Sequence, residues 1–273
     1  MKESANQTGV RAVIFDISGT VLDYGSRGPV VAFVELFARH GVTVSPDEAR
    51  RPMGTHKRDH IWTMLSDPDI AGRWEKATGK RPDAVLLETL YKEFTPLQTE
   101  VVKHYCDVIP GVPAVVKEFR SRGIKIANTT GFDAGMMNDL KRLAAEGGYE
   151  PDVWVTPDVV GKGRPAPWMI YYAAKELDVY PLSTFVKVGD TPIDVAEAHN
   201  AGVWSVSVVR SSNEVGLSPS ELADLPAAKR DAKLAAAREK LSACRPHYVI
   251  DTVADLIPVI DEVSARIARG ERP

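Results

Sequence analysis

The sequence predicts an α/β protein whose core is a doubly wound, Rossmann-like parallel sheet interrupted by an inserted helical domain. Short apolar runs rich in β-branched residues alternate with helical patterns along most of the chain. This alternation is typical of a parallel sheet covered by helices on both faces. Residues 29–106 break it, because they show no convincing strand but several consecutive helical patterns.

Six apolar runs are expected to form the strands of this sheet. They span residues 11–16, 124–129, 153–156, 185–189, 203–208 and 248–251. Helical patterns lie between them at residues 112–122, 133–146, 167–177 and 192–200. Gly123, Gly148 and Gly202 stand at the ends of helical stretches, where glycine commonly terminates a helix.

The inserted interval is expected to form a cap over the ligand-binding edge of the sheet. Its helical patterns span residues 30–40, 46–51, 57–65, 69–78, 83–94 and 97–105. Ser45 and Glu48 flank Pro46 in a capping-box pattern that marks one helix start. Because the insertion follows the first strand directly, it can cover a site at that strand's end. We therefore expect a core domain of residues 1–25 and 107–273 and a helical cap domain of residues 26–106.

Composition narrows the classes of function. A chain of 273 residues with 44% hydrophobic residues can bury a sizeable core, which excludes a disordered protein. The net charge of −3 lacks the basic excess of a dedicated nucleic-acid binder. Cys106 and Cys244 are too few for a disulfide framework, and no stretch resembles a signal peptide or a membrane span. We expect a cytoplasmic protein that binds neither nucleic acid nor membranes.

Three carboxylates are expected to meet at the carboxyl edge of the sheet. Asp16 ends the first strand before Gly19, and Asp190 and Asp194 follow the strand at 185–189. Asp16 could instead cap a turn, and Asp194 could be an ordinary first-turn helix acid. A cluster of three acids favours a bound cation, and its oxygen ligands suit Mg²⁺.

Groups that can bind an anion follow the second and third strands. Thr130 and Gly131 offer hydroxyl and backbone N–H donors near a helix start. Arg164 lies in a glycine-rich loop and could neutralise an anionic group, although a solvated loop arginine is the plain alternative. The chain has no phosphate loop of the Gly-Lys-Ser/Thr type.

Together these residues resemble the four ordered motifs of the haloacid dehalogenase superfamily, over about residues 11–210. The motifs are Asp16-Ile17-Ser18-Gly19-Thr20, Thr130, Arg164, and Gly189-Asp190 with Asp194. The resemblance implies that Asp16 is a nucleophile forming an aspartyl-phosphate. It also implies a Mg²⁺ ion held by Asp16, the backbone carbonyl of Ser18 and Asp190, with Asp194 in support. Mg²⁺ and Arg164 would neutralise the charge that otherwise keeps a carboxylate from an anionic phosphorus.

Residues 50–60 of the cap, with Gly163-Arg164-Pro165 and Pro167-Trp168-Met169, resemble the phosphonoacetaldehyde hydrolases, and this resemblance extends over nearly the whole chain. It implies that the protein hydrolyses the C–P bond of a small phosphonate, phosphonoacetaldehyde, and releases acetaldehyde and phosphate. It further implies that Lys57 forms a Schiff base with the aldehyde, that Met53 and His60 lie around it, and that two chains join through their caps as a homodimer.

A Schiff base at Lys57 explains how a C–P bond can break, because a protonated imine accepts the electron pair that would otherwise form a carbanion. Lys57 must then be partly neutral, and Arg51, Arg58 or burial under the cap could lower its pKa. A solvated helix lysine is the alternative. His60 could shuttle protons or orient water, and His56 with His60 could instead form a zinc pair.

Four residues differ from the phosphonoacetaldehyde hydrolase pattern and leave other substrates open. Ile17, Ser18, Ser26 and Phe132 stand where that family usually has tryptophan, alanine, cysteine and tyrosine. Superfamily phosphatases and mutases often have a general-acid aspartate at the position of Ser18, and serine is too weak an acid to replace it. The alternatives are a related phosphonate aldehyde, a phosphate-ester phosphatase or sugar-phosphate mutase, a dehalogenase, and a catalytically silent relative.

Overall fold

A six-stranded, fully parallel sheet forms the centre of the computed structural model, which describes residues 9–273. Its strands are β1 (Ala12–Phe15), β2 (Lys125–Thr129), β3 (Val153–Val155), β4 (Phe185–Gly189), β5 (Trp204–Val208) and β6 (Tyr248–Ile250). All six expected strands are confirmed. The order β3-β2-β1-β4-β5-β6 places β1 and β4 side by side, where the direction of strand addition reverses. Ligands of doubly wound sheets bind at this switch point, beyond the carboxyl ends of the strands.

Helices cover both faces of the sheet. Every residue of β1 and β4 is buried, as expected of central strands in such an arrangement. Helix α6 precedes β2, and α7 to α13 follow it in chain order. Within the described residues the α-helices are α1 (Arg27–Arg39), α2 (Pro46–Arg50), α3 (Lys57–Ser66), α4 (Pro68–Thr78), α5 (Ala84–Val102), α6 (Val112–Ser121), α7 (Met137–Glu146), α8 (Pro157–Val160), α9 (Trp168–Leu177), α10 (Pro192–Ala201), α11 (Pro219–Asp224), α12 (Ala227–Ala243) and α13 (Leu256–Ala268).

Helices α1 to α5 form the inserted cap between β1 and β2. Helix α1 packs along α5, where the rings of Phe33 and Phe94 stack with centroids 4.3 Å apart. The capping box at the start of α2 is confirmed, because Ser45 Oγ accepts from Glu48 N–H and the Glu48 carboxylate accepts from Ser45 N–H. The domain boundaries at residues 26 and 106 stay a prediction.

The expectation of two separate helices at residues 83–94 and 97–105 is wrong, because α5 continues through Pro96. Proline removes one backbone donor and normally ends or kinks a helix. Here Leu90 and Phe94 before it and Leu97 after it are all buried on the same helix. The burial of this continuous apolar stripe offsets the local cost of the proline.

Within residues 9–273, the structure contains no helix with both the length and the apolar character needed to cross a membrane.

Candidate active site

The three predicted carboxylates meet at the switch point. Asp16 directly follows β1, Asp190 directly follows β4, and Asp194 lies in the first turn of α10. One carboxylate oxygen from each lies within 4.8 Å of the others, and all three side chains are buried. The convergence expected from the strand ends is therefore present.

Asp190 is fixed by its neighbours and carries an unfavourable charge. Its Oδ1 accepts from Thr20 Oγ1 at 3.2 Å, and its Oδ2 accepts from Asn213 N–H at 2.7 Å. Burial, and then the nearby Asp16 and Asp194, raise the pKa of Asp190 well above its usual value. A divalent cation among these oxygens would relieve that repulsion, so the residues fit Mg²⁺.

Position 19, in the loop after β1, requires glycine because the backbone there passes close to Asp190. Gly19 has φ +82°, and a Cβ on it would lie 2.1 Å from Asp190 Oδ2. Any side chain there would therefore be both strained and in collision with the carboxylate.

Arg164 is buried among carboxylates, so the alternative of a solvated loop arginine is wrong. Its Nη2 donates to Asp16 Oδ1 at 2.6 Å, its Nη1 lies 3.0 Å from Asp194 Oδ1, and its Nε lies 3.1 Å from Glu197 Oε2. Burial opposes the charge, but these three carboxylates raise the pKa of Arg164 above its usual value. The guanidinium is thus a fixed cation beside the predicted nucleophile.

Lys187 is a second buried cation, and sequence reasoning assigned it no role. Its Nζ lies 3.1 Å from Asp194 Oδ1 and 3.2 Å from Glu197 Oε2, and it donates to Thr129 Oγ1 at 2.8 Å. A lysine in the middle of the apolar strand β4 is unusual, and that position could have identified it. Asp194 is therefore a first-turn helix acid, which was the alternative interpretation of its position. It is also the ion-pair partner of both Arg164 and Lys187.

A small cavity between the cap and the core collects most of the predicted site residues. The cap contributes Met53 and Lys57, and the core contributes Asp16, Ser18, Thr130, Gly131 and Arg164. The full lining is Asp16, Ser18, Ser26, Pro29, Met53, Gly54, Lys57, Thr130, Gly131, Phe132, Arg164 and Thr191. Residues as far apart in the sequence as Asp16 and Thr191 thus face one space.

Lys57 is buried beside aromatic rings instead of lying on the surface. The side chain is 3% exposed, and Nζ lies 4.8 Å from the centroid of the Phe132 ring. Burial lowers the pKa of Lys57 to about 8, against the opposing charges of Asp16 and Asp133. At neutral pH roughly one molecule in ten then carries a neutral, nucleophilic amine, compared with far fewer for an exposed lysine.

Burial, and not Arg51 or Arg58, is the largest cause of the lowered pKa of Lys57. The two neighbouring arginines are paired elsewhere: Arg51 Nη1 lies 3.1 Å from an Asp67 carboxylate oxygen, and Arg58 Nη2 lies 2.6 Å from Glu88 Oε1. Both pairs are exposed to solvent, where charges interact weakly.

His60 lies behind the cavity, and it does not line it. Its ring stacks on Phe33 with centroids 3.8 Å apart, and Nε2 donates to the carbonyl oxygen of Ala49. Burial lowers the pKa of His60 well below its usual value, so the ring is uncharged. His56 instead contacts Asp133 at 2.8 Å. The two histidines face different partners, and in the described part of the chain neither joins a metal-compatible cluster, so the zinc alternative is wrong.

The sequence matches the family model of haloacid dehalogenase-like hydrolases over residues 10–202. The phosphonoacetaldehyde hydrolase of Nitratidesulfovibrio vulgaris is 41% identical over 97% of this chain and 94% of its own length. That of Paraburkholderia phytofirmans is 42% identical over 97% of this chain and 99% of its own. A solved phosphonoacetaldehyde hydrolase-like protein from Oleispira antarctica superposes with a TM-score of 0.95 at 39% identity, covering 100% of this chain and 99% of that one.

The chain therefore belongs to the haloacid dehalogenase-like hydrolases, within the family of these phosphonoacetaldehyde hydrolase relatives. It is an enzyme, and its class is hydrolase.

Proposed function

We propose that this enzyme hydrolyses the C–P bond of phosphonoacetaldehyde to acetaldehyde and phosphate. The observation that carries the proposal is a buried lysine of lowered pKa, Lys57, facing the same cavity as the strand-end carboxylate Asp16. The neutral amine of Lys57 can attack an aldehyde, and the carboxylate of Asp16 can attack phosphorus. The names of its relatives support the same substrate.

Lys57 supplies the electron sink. Its neutral amine attacks the aldehyde carbon, and loss of water gives a protonated imine. When the C–P bond breaks, its electron pair moves into the imine and gives an enamine. Protonation at carbon and hydrolysis then release acetaldehyde and restore Lys57.

Asp16 receives the phosphoryl group. Its carboxylate attacks phosphorus as the C–P bond breaks, and water later hydrolyses the aspartyl-phosphate to phosphate. Arg164, which already donates to Asp16, holds the two anions together, and Thr130 and Gly131 bind the phosphoryl oxygens.

Asp16, the carbonyl of Ser18 and Asp190 would hold Mg²⁺, with Asp194 supporting them through Arg164. The ion supplies electrostatic neutralisation of the phosphoryl group when it is bound.

Met53 and His60 complete the assignment on the cap side. Met53 lines the cavity and excludes water from the imine. His60 is assigned to proton transfer or water orientation around Lys57. Its support is an uncharged ring close enough for Lys57 to lower its pKa, with an Nδ1 that has no partner among the described residues.

The decisive experiment measures acetaldehyde and phosphate together, from phosphonoacetaldehyde and from a panel of phosphate esters. We expect equal amounts of both products from phosphonoacetaldehyde and little phosphate from the esters. Phosphate release from esters alone would overturn the proposal in favour of a phosphatase or mutase. Serine at position 18 already disfavours that candidate, because its hydroxyl is a poor general acid.

We further propose a cytoplasmic homodimer joined through the caps. Two free cysteines support a reducing compartment, and Trp62, a large apolar side chain 43% exposed on α3, supports a contact surface on the cap. Sedimentation of the parent and of Trp62→Gln checks the assembly, and a monomeric parent would contradict it.

A further inference from the structure

A group of three side chains crosses from the cap to the core outside the cavity. His56 immediately precedes α3, Tyr91 lies on α5, and both contact Asp133 of the core. His56 Nε2 lies 2.8 Å from Asp133 Oδ1, and the Tyr91 hydroxyl donates to Asp133 Oδ2. We call these three residues the cap–core cluster.

We propose that the cap–core cluster positions Lys57 over the catalytic core, so that Asp133, His56 and Tyr91 are positioning residues for the Schiff base. His56 is the residue before Lys57, and Asp133 is the residue after Phe132. The Phe132 ring lies 4.8 Å from Lys57 Nζ. The His56–Asp133 contact therefore joins the two backbone segments that carry the lysine and the ring beneath it.

The backbone around the cluster shows how closely the cap is seated there. A Cβ on Gly131 would lie 2.4 Å from the carbonyl oxygen of Thr55, and a Cβ on Gly163 would lie 3.3 Å from His56 Cβ. The cap segment before α3 thus rests directly on core backbone. Small displacements at such a contact move Lys57 relative to Asp16, and errors of about 1 Å in a reacting group can cost about 100-fold in rate.

The electrostatics of the cluster favour a charged Asp133. Burial opposes that charge, but hydrogen bonds from His56 and Tyr91 outweigh it and lower the pKa of the Asp133 carboxyl. Burial, and then the same carboxylate, raise the pKa of Tyr91, so its hydroxyl stays a donor. Asp158, whose carboxylate accepts from Ala134 N–H, and Glu88 are other acids that act on Tyr91. Bonds to a charged acceptor are stronger than neutral ones.

The cap contains a matched control for this contact. His40 Nε2 lies 2.8 Å from Glu93 Oε2, a pair of the same chemistry and the same length, but both residues belong to the cap. The control pair is somewhat more exposed, at 27% and 40% against 19% and 15% for His56 and Asp133. Glu93→Gln and Asp133→Asn therefore make the same chemical change, and only the second lies across the boundary.

The first test measures access to Lys57 without any substrate. The Mg²⁺-loaded enzyme is treated with trinitrobenzenesulfonate at about pH 10, above the pKa of Lys57, so that altered protonation contributes little. Peptide mass spectrometry gives the rate at each lysine. We expect Asp133→Asn to speed modification of Lys57 by about 10-fold and Glu93→Gln by less than about 2-fold. Equal Lys57 rates in these two variants would overturn the proposal.

Tyr91→Phe keeps the inference testable if Asp133→Asn folds poorly, because it removes one hydrogen bond without changing charge. We expect about 3-fold faster modification of Lys57, with buried Lys187 unmodified as the check on folding. A rate within error of the parent's for a folded Tyr91→Phe would count against the cluster.

The second test is turnover, and it rests on the proposed function. We expect Asp133→Asn to lower kcat/KM for phosphonoacetaldehyde by about 10- to 100-fold, mostly in kcat, and Glu93→Gln to leave it within about 2-fold. An effect confined to KM would overturn the positioning role. If the parent does not cleave phosphonoacetaldehyde, the proposed function fails, while the modification rates still decide the role of the cluster.

Discussion

Two lysines of this enzyme are almost completely buried, and their surroundings differ. Lys187 Nζ, in the core, lies within 3.2 Å of two carboxylates, those of Asp194 and Glu197. Lys57 Nζ, under the cap, forms no such ion pair within residues 9–273 and faces the rings of Phe132 and Phe33. Their exposed fractions, 1% and 3%, are nearly equal.

The comparison shows that the neighbours of a buried lysine, more than its burial, decide its chemistry. Carboxylates within ion-pair distance compensate an ammonium group for lost hydration, so Lys187 is suited to hold charge. Aromatic faces compensate it only partly, so the pKa of Lys57 falls to about 8 and the amine becomes available as a nucleophile. We therefore propose that Lys187 stabilises the structure and that Lys57 takes part in the reaction.

The largest effect is expected when Lys57 loses the ability to form an imine. Lys57→Arg keeps the positive charge but should lower C–P cleavage by about 10⁴-fold or more, because a guanidinium cannot form the Schiff base. Borohydride added during turnover of the parent should leave an N-ethyl group on Lys57, found by peptide mass spectrometry. A label on Lys187 or any other lysine would reverse the comparison.

A similar loss is expected from removing the carboxylate that receives phosphorus. Asp16→Asn should abolish turnover, because an amide is a poor nucleophile, while borohydride should still trap substrate on Lys57. Asp190→Ala should weaken Mg²⁺ binding, measured by titration calorimetry. Activity that survives EDTA undiminished would contradict the metal assignment.

Stability should respond to the two lysines in opposite directions. Lys187→Met leaves Asp194 and Glu197 with one fewer cation in a buried site, so we expect a loss of about 3 kcal/mol in the free energy of unfolding. Urea denaturation measures it. A neutral effect would mean that Arg164 alone compensates both carboxylates.

The matched variant Lys57→Met should instead stabilise the fold by up to about 3 kcal/mol at neutral pH, following the fall of the Lys57 pKa from 10.5 to about 8. The folded parent binds fewer protons than the unfolded chain between these two values, so parent stability rises with pH across that window. The advantage of Lys57→Met should therefore shrink from about pH 8 to pH 10.5. An advantage independent of pH would show that packing, not charge, is responsible.

The strands of the sheet and the acids at their ends could be predicted from the sequence, but the surroundings of Lys187 could not. Apolar β-branched runs located all six strands, and acids at strand ends located Asp16 and Asp190, because the ends of parallel strands share one edge. The partners of Lys187 could not be predicted, since Thr129 ends β2, which β1 separates from β4 in the sheet, and Glu197 reaches it only through the packing of α10 on β4. The continuity of α5 escaped prediction for a similar reason, because burial on both sides of Pro96 depends on tertiary contacts.

The smallest effect is expected at Ser18, which lines the same cavity as Lys57 but whose side chain has no assigned role. Only its backbone carbonyl is assigned a role, so Ser18→Ala should retain C–P cleavage within about 3-fold of the parent's kcat. Ser18→Asp is the informative counterpart, because it adds the general acid of phosphatases and should raise phosphate release from esters while the Lys57 reaction declines. A loss of several orders of magnitude in Ser18→Ala would show that the hydroxyl acts on the reacting atoms. The proton on the leaving carbon would then come from the Ser18 hydroxyl and not from a group on the Lys57 side of the cavity.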